Sequence, residues 1–508
     1  MAEFWRPAAA GVASVVAGVG LAELVSAFVV QNGSPVLTVG ALLIDLAPAW
    51  LKQAVIALFG TGDKAFLIVA LAVVVLAGAG LAGWLEFRRP PLGRILIGLG
   101  GVIGVVAAVT RAGNGVVDAL PSVLAAVVAV LLLGWLIGML RHTRPTRVAP
   151  RGRVSRRRFV GSTAATAAAG AVALVVGQAS ASGFRGAAAA RAAVRLPAPA
   201  TTAPPIPAGA SFDIPGLSPV ITPNADFYRI DTALQIPGID PRDWKLRIHG
   251  MVEQEVELTF AQLLALPLEE STTTLTCVSN EVGGDLIGNA TWLGYPIRHL
   301  LARAKPSAGA DMVLSTSQDG WTASTPIEAL TDERNAILAV GMNGQPLPLE
   351  HGYPVRMVVP GLYGYVSATK WVVSLEVTRF ADHTAYWTER GWSERGPVKL
   401  SSRIDVPAAG RQVKAGTVAV AGVAWSQHVG VSAVHVRVDD GPWQEATLAD
   451  AISADTWRQW RYTWEATPGA HTLTVRATDA NGKVQTSTVR DVVPDGATGL
   501  HSVSVTVV

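Results

Sequence analysis

Cys277 is the only thiol in a chain of 508 residues. A single cysteine excludes an intrachain disulfide, a Cys-rich zinc site and a protein-held iron–sulfur cluster, each of which draws about two to four thiols from the chain. The residue closes an alternating run, Thr272-Thr273-Thr274-Leu275-Thr276-Cys277. It precedes a polar loop, Val278-Ser279-Asn280-Glu281-Val282-Gly283-Gly284, from which a side chain can face a cleft. Three chemistries suit it. An inert thiol packs well in a core. A nucleophile needs a base, and His299 or His351 would serve, but no catalytic-cysteine signature surrounds the position. A metal ligand is chemically better motivated than a nucleophile, because one soft thiolate suffices when an organic cofactor fills the other positions. The residue pattern alone leaves these readings open.

The elements that would position this residue begin near Ile221, where short apolar runs of period two alternate with Gly, Pro, Asn and Asp. Helical pieces at Thr259 to Leu266, Ile297 to Arg303 and Pro326 to Leu330 break the strands, which predicts an α+β domain over 221–400. Clean alternation in Val418 to Trp425, Val434 to Val438, Trp460 to Trp464 and His471 to Arg476 predicts an all-β sandwich over 401–508. Residues 183–220 are rich in Ala, Pro, Gly and Ser, the composition of a flexible linker.

Upstream the chain changes character. Half of all residues are apolar and only 16% are charged. Five apolar stretches near 8–30, 36–59, 65–87, 92–110 and 119–140 predict a five-helix transmembrane region over 1–140, each stretch being close to the ~20 residues a span needs. Trp50, Trp84 and Trp135 suit interfacial positions, and Gly98, Gly100, Gly101 and Gly104 would permit close helix contact. Arg141, Arg144, Arg147, Arg151, Arg153, Arg156, Arg157 and Arg158 crowd one segment without an acidic residue, which places it in the cytoplasm and Met1 outside. The neighbouring spans explain this basic run, so no nucleic-acid partner is expected. Residues 141–182 thus read as an Arg-rich loop and a sixth span. Ser155-Arg156-Arg157-Arg158-Phe159-Val160 resembles a twin-arginine export signal, and Ala179-Ser180-Ala181 would suit cleavage. Glu23, Asp45 and Lys52 lie in or near spans, either as functional charges or as snorkelling ones. All nine histidines fall at His142 or later, so no haem is expected in the spans, and no flavin motif is visible.

Two longer motifs carry a resemblance. Thr274-Leu-Thr-Cys-Val-Ser-Asn-Glu-Val-Gly-Gly-Asp, with Thr222-Pro-Asn-Ala-Asp-Phe-Tyr-Arg upstream, resembles the sulfite oxidase superfamily of molybdopterin enzymes. So does Leu347-Pro-Leu-Glu-His-Gly-Tyr-Pro-Val-Arg, continuing to Ser367-Ala-Thr-Lys370-Trp371. The resemblance implies that Cys277 ligates molybdenum beside the pterin dithiolene, and that Cys277 and Arg229 are the catalytic residues. It implies cofactor contacts from Tyr228, Arg229, Ser317 or Asp319, His351, Arg356, Ser367 and Lys370. It also implies that the C-terminal sandwich is an immunoglobulin-like dimerisation domain. The animal and plant enzymes carry Arg-Asn-His where this chain has Arg229-Ile230-Asp231, and a carboxylate in an oxyanion pocket disfavours sulfite. Arg395 and Arg403 are the alternative sources of positive charge.

These readings predict a membrane-anchored, exported molybdopterin oxidoreductase that moves an oxygen atom to or from a small sulfite-like or sulfoxide- or N-oxide-like substrate. Electrons would pass to a separate carrier, with no haem, iron–sulfur cluster or flavin in the chain. The rival readings are an exported binding or adhesion protein without redox activity, and a transporter or sensor whose helical bundle is the active part.

Overall fold

The computed structural model describes residues 2–508 except 30–32, 49–50, 52–53, 56–57, 60–61, 112–114, 143–155 and 181. The chain divides into two units, Met1–Gly186 with Thr232–Gly238, and Ala187–Asp231 with Ile239–Val508.

The first unit is helical: α1 (Ala2–Phe28), α2 (Pro35–Leu46), α3 (Asp63–Arg88), α4 (Leu92–Val109), α5 (Leu120–His142) and α6 (Arg156–Ser180). Among the described residues five helices are long and apolar enough to cross a membrane: Phe4–Phe28, Lys64–Arg88, Leu92–Val109, Val116–Arg141 and Arg157–Gly177. The second apolar stretch departs from the expected continuous span. α2 has 12 residues and stops where Ala47 turns extended, at φ −68° and ψ 129°. Pro48 follows, and its ring disfavours a helical conformation in the residue before it. At ~1.5 Å per residue α2 is too short for a ~30 Å hydrocarbon core.

Close approach in this unit uses small residues, as packing without a hydrophobic driving force requires. A Cβ on Gly11 would strike the Ala79 carbonyl, one on Gly83 the Pro7 carbonyl, and one on Gly170 the backbone of Ala17. Of the expected glycine run, Gly101 and Gly104 face Ala126 and Ser122, whereas Gly98 and Gly100 have nothing within 4 Å. Glu23 is buried and accepts hydrogen bonds from Ser34 Oγ at 2.8 and 2.9 Å and from the Val36 N–H at 3.2 Å, so it caps the start of α2. Asp45 is exposed. Trp50, Lys52, Arg144, Arg147, Arg151, Arg153, Ser155 and Ala181 lie outside the described residues.

Residues 187–220 correct the expectation of a flexible tether. They form the end of a helix, Ser182–Ala193, and then an extended strap along the second unit. Arg191 donates to the Leu347 and Pro346 carbonyls at 2.7 Å, the Ala200 N–H to Leu268 O at 2.7 Å, and the Phe212 N–H to Gln459 Oε1 at 2.8 Å. A Pro-rich segment is already extended before it docks, so fixing it loses little conformational entropy.

The central module holds ten strands: β1 (Lys245–Gly250), β2 (Val256–Thr259), β3 (Glu269–Thr276), β4 (Ile287–Pro296), β5 (Met312–Ser317), β6 (Thr322–Pro326), β7 (Ile337–Met342), β8 (Gln345–Pro346), β9 (Arg356–Val358) and β10 (Val372–Thr378). One sheet runs β2-β1-β10-β5-β6. The other runs β3-β4-β7-β8, with β9 also on β7. Short helices at Phe260–Leu264 and Ile297–Ala304 fall where the sequence places them.

The C-terminal module is all β: β11 (Ser401–Val406), β12 (Gln412–Val413), β13 (Gly416–Trp425), β14 (Val431–Val438), β15 (Gln444–Glu445), β16 (Thr447–Leu448), β17 (Arg458–Ala466), β18 (Gly469–Asp479) and β19 (His501–Val507). Its sheets, β11-β13-β17-β16 and β12-β19-β18-β14-β15, enclose Val420, Val434, Val436, Trp460, Leu473, Val475 and Val503. Alternation fails over Val420–Trp425, where every side chain is buried. The outward residues Val423 and Trp425 there pack with Trp457 and with Ile287 of the central module, so both faces of this strand end are covered.

Candidate active site

Cys277 leaves β3 directly after the last paired residues, Thr276 and Ile287. Its N–H donates to Leu286 O at 2.9 Å, which extends the ladder by one bond, and Asn280 closes the following loop by accepting from the Leu286 N–H at 2.8 Å. The thiol is half-buried. Burial pushes its pKa up, against hydrogen bonds from Ser279 and the charge of Lys370.

The His351-to-Arg356 motif leads into β9, which pairs with β7 in the sheet that also holds β3. His351 ends a single 3₁₀ turn, and Gly352 follows with φ +110°. A Cβ on Gly352 would lie 2.9 Å from Arg356 Cβ and 3.2 Å from Lys370 Cα, so glycine alone allows this turn and its packing on Lys370. His351 Nε2 lies 3.1 Å from the Asn224 carbonyl, which can only accept, so Nε2 carries the proton and Nδ1 remains an acceptor. Burial, with Lys370 and Arg356 nearby, lowers its pKa to about 3 and keeps the ring neutral.

Arg356 is 5% exposed and among the described residues has only backbone acceptors: Met357 O at 3.3 Å, His351 O at 3.1 Å and Ala368 O at 3.3 Å, with the Trp292 ring 5.1 Å away. Burial lowers its pKa to about 10. Lys370 Nζ donates to Asp231 Oδ2 at 2.7 Å and to Glu350 O at 3.0 Å, and burial lowers its pKa to about 8. Arg229 Nε meets the same carboxylate at 2.9 Å. Asp231 is therefore not a bare negative charge in the cleft, as the sequence suggested, but sits between two cations in a trio of net positive sign.

Tyr228 stacks on Phe227, and burial pushes its phenol well above the ordinary range, with Cys277 adding to the rise and Arg356 opposing it. Ser317 is brought to this region because β5 pairs it with Val372, two residues beyond Lys370; its Oγ is buried with no partner among the described residues. Asp319 instead closes its own turn by accepting from the Trp321 N–H. Ser367 Oγ donates to Tyr363 O at 2.9 Å and Leu362 O at 3.2 Å, which ties its hydroxyl to the loop. The alternative cations are engaged in networks of their own: Arg403 is held by Asp405, Gly284 O and Ser218 Oγ, and Arg395 pairs with Glu328 and Glu394. His299 faces Tyr295 and is not among the groups acting on Cys277.

Sequence reasoning missed Asn224, which fixes the His351 tautomer, and Tyr363, whose phenol burial raises to about 12 with Cys277 contributing. Tyr363 follows a Pro-Gly turn with no periodicity to mark it. Asn224 lies in the quoted upstream motif but acts through its carbonyl, which side-chain chemistry does not flag.

The residues fit an anionic, metal-bearing cofactor. A buried guanidinium without a carboxylate is unfavourable unless an anion completes it, and Arg356 has five N–H donors of which three are engaged. A lysine with a depressed pKa stands near it, with the Ser317 hydroxyl buried and without a partner among the described residues and one thiol at a strand end.

Comparison with known proteins agrees. Residues 233–387 match the family described as oxidoreductase molybdopterin binding domain, and residues 401–475 match a bacterial Ig domain. The mitochondrial sulfite oxidase of Mus musculus is 31% identical over 321 residues, covering 53% of this chain and 58% of that protein. The uncharacterized oxidoreductase YuiH of Bacillus subtilis is 32% identical over 157 residues, covering 31% of this chain and 76% of its own. The sulfane dehydrogenase SoxCD of Paracoccus pantotrophus shares the fold, with a TM-score of 0.50 at 24% identity over 56% of this chain and 81% of that one. Fold and site thus define a molybdopterin-binding oxidoreductase module joined to an immunoglobulin-like sandwich. The chain belongs to the sulfite oxidase superfamily of molybdopterin-dependent oxidoreductases, and it spans 58% of the length of the mouse sulfite oxidase it matches.

Proposed function

We propose that this chain is a membrane-anchored, exported oxidoreductase in which Cys277 ligates molybdenum and an oxygen atom moves to or from a small substrate. The observation that carries the reading is that Tyr228 lies within electrostatic reach of both the strand-end thiol and Arg356, a buried cation with no carboxylate partner among the described residues. When bound, the molybdenum–pterin group supplies a two-electron centre. Arg356 and Lys370 hold its anionic part, with Ser317 Oγ and neutral His351 Nδ1 as further polar contacts. Asp231 orients Lys370 and Arg229, and the net positive trio favours an oxyanion over a neutral amine. In the oxidising direction oxygen comes from water, two protons leave to solvent and two electrons pass to a separate carrier protein.

The Arg141–Arg158 segment argues for a cytoplasmic loop, and the modules after residue 182 then lie outside. With α2 not crossing, five spans put Met1 on the cytoplasmic side, opposite to the six-span expectation. The twin-arginine pattern suits export of a folded, loaded domain.

The test is molybdenum per chain in protein purified from the membrane, with turnover of sulfite, sulfoxides and N-oxides against a dye acceptor. We expect about one metal per chain in the wild type and loss in Cys277→Ser. Full retention in Cys277→Ser overturns the ligand assignment, and a metal-free, inactive wild type from cofactor-replete cells favours a binding protein.

A further inference from the structure

We propose that Gln427, on the immunoglobulin-like module, is a positioning residue for Cys277. Gln427 lies in the turn between β13 and β14 and is 4% exposed. Its Nε2 donates to Thr274 O at 2.9 Å and to Thr276 Oγ at 3.0 Å. Thr274 O can only accept, so the amide orientation follows from the partner. Thr276 is the residue before Cys277. The Oε1 of Gln427 is buried with no partner among the described residues, so the side chain is engaged through its donors alone.

Three further features hold this contact. The Thr274 N–H donates to Asp455 O at 3.0 Å, and the Trp457 N–H donates to Thr274 Oγ at 2.8 Å, both from the same module. His428, next to Gln427, is a non-glycine residue at φ +66°, a strained conformation that persists only where its surroundings fix it. The His428 N–H donates to Ala454 O at 2.9 Å and the Gly430 N–H to Ser426 O at 2.7 Å. The far end of the Cys277 loop is held as well, Arg403 donating to Gly284 O at 2.7 Å while His501 packs on Gly283. The sandwich thus grips β3 just before the thiol and the loop just after it.

The functional meaning rests on Cys277 meeting the cofactor, but the geometry does not. Cys277 is the only cysteine, so alkylation reports this position alone. The test uses the full chain from cells grown without molybdate, comparing Gln427→Met with Gln459→Met. Gln459 is a second buried glutamine of the module that donates to Ser218 O instead. With secondary structure and the thermal transition retained, we expect iodoacetamide to modify Gln427→Met faster by roughly three- to tenfold, the scale of one net hydrogen bond, and Gln459→Met at the wild-type rate. Thr276→Val, which removes one acceptor, serves if Gln427→Met does not fold, and should shift the rate in the same direction. In the loaded enzyme the molybdenum(V) resonance of Gln427→Met should differ from wild type. Equal alkylation rates in folded wild type and Gln427→Met, or an equal rise in Gln459→Met, overturn the proposal. A faster rate together with full metal retention in Cys277→Ser supports the positioning role and removes the ligand assignment instead.

Discussion

Two buried arginines in the second unit are handled in opposite ways. Arg403, where the sandwich meets the Cys277 loop, is closed: Asp405 lies at 2.6 Å, and Gly284 O and Ser218 Oγ take further donors. Arg356, which with Cys277 acts on the Tyr228 phenol, has carbonyls and an aromatic face but no carboxylate among the described residues. Both are cations removed from water, and among the described residues only one has its charge balanced by a carboxylate. A closed network is structure, whereas an open one with spare donors is a place for a ligand's negative charge.

The comparison breaks most visibly by deletion. Arg403→Met should leave the buried Asp405 carboxylate without its cation, held among the described residues only by the Ser218 N–H, and lower stability by about 3 kcal/mol, with or without cofactor, measured by chemical unfolding. Arg356→Met should behave differently. Cofactor-free protein should be as stable as wild type or slightly more so, while metal retention falls about 10- to 100-fold. Equal destabilisation by both changes would erase the distinction.

Lys370 sharpens it through pH. Burial brings its pKa from 10.5 to about 8, so the folded chain releases this proton before the unfolded chain does. Between about pH 8 and 10.5 the unfolded state binds more protons, and this group's contribution to stability rises with pH. The same deprotonation removes a positive charge from the site. Oxyanion affinity should therefore fall by up to about tenfold above pH 8, read as KM or as sulfate inhibition, and the fall should vanish in Lys370→Arg. The smallest effect lies away from the site. Thr259 caps the short helix Phe260–Leu264 in a reciprocal box with Gln262, and Thr259→Ala should lower stability by ~1 kcal/mol without changing metal content.

What the sequence shows and what it hides follow from distance along the chain. The strand ending at Cys277 is legible from its β-branched run and the Gly-Gly loop beyond it, although Ser271–Thr276 are all buried rather than alternating, and the sandwich is legible because its inward residues repeat every second position. The His351 and Arg356 motif is local and therefore readable. The pairing of Asp231 with Lys370 spans 139 positions, and that of Gln427 with Thr276 spans 151. Neither leaves a periodic trace, so Asp231 reads as a repulsive charge and Gln427 as a turn residue. The strap at 187–220 has the composition of a tether, and only its long-range hydrogen bonds show that it is docked. The break after Leu46 coincides with Pro48, a breaker hidden inside an otherwise continuous apolar run.

The central claim is that Cys277 supplies a sulfur to molybdenum. X-ray absorption at the molybdenum edge tests it most directly, because it counts sulfur neighbours whatever the substrate. The account predicts the two dithiolene sulfurs plus one more in the wild type, and loss of that one sulfur in whatever metal Cys277→Ser retains. An unchanged sulfur count in Cys277→Ser would contradict it.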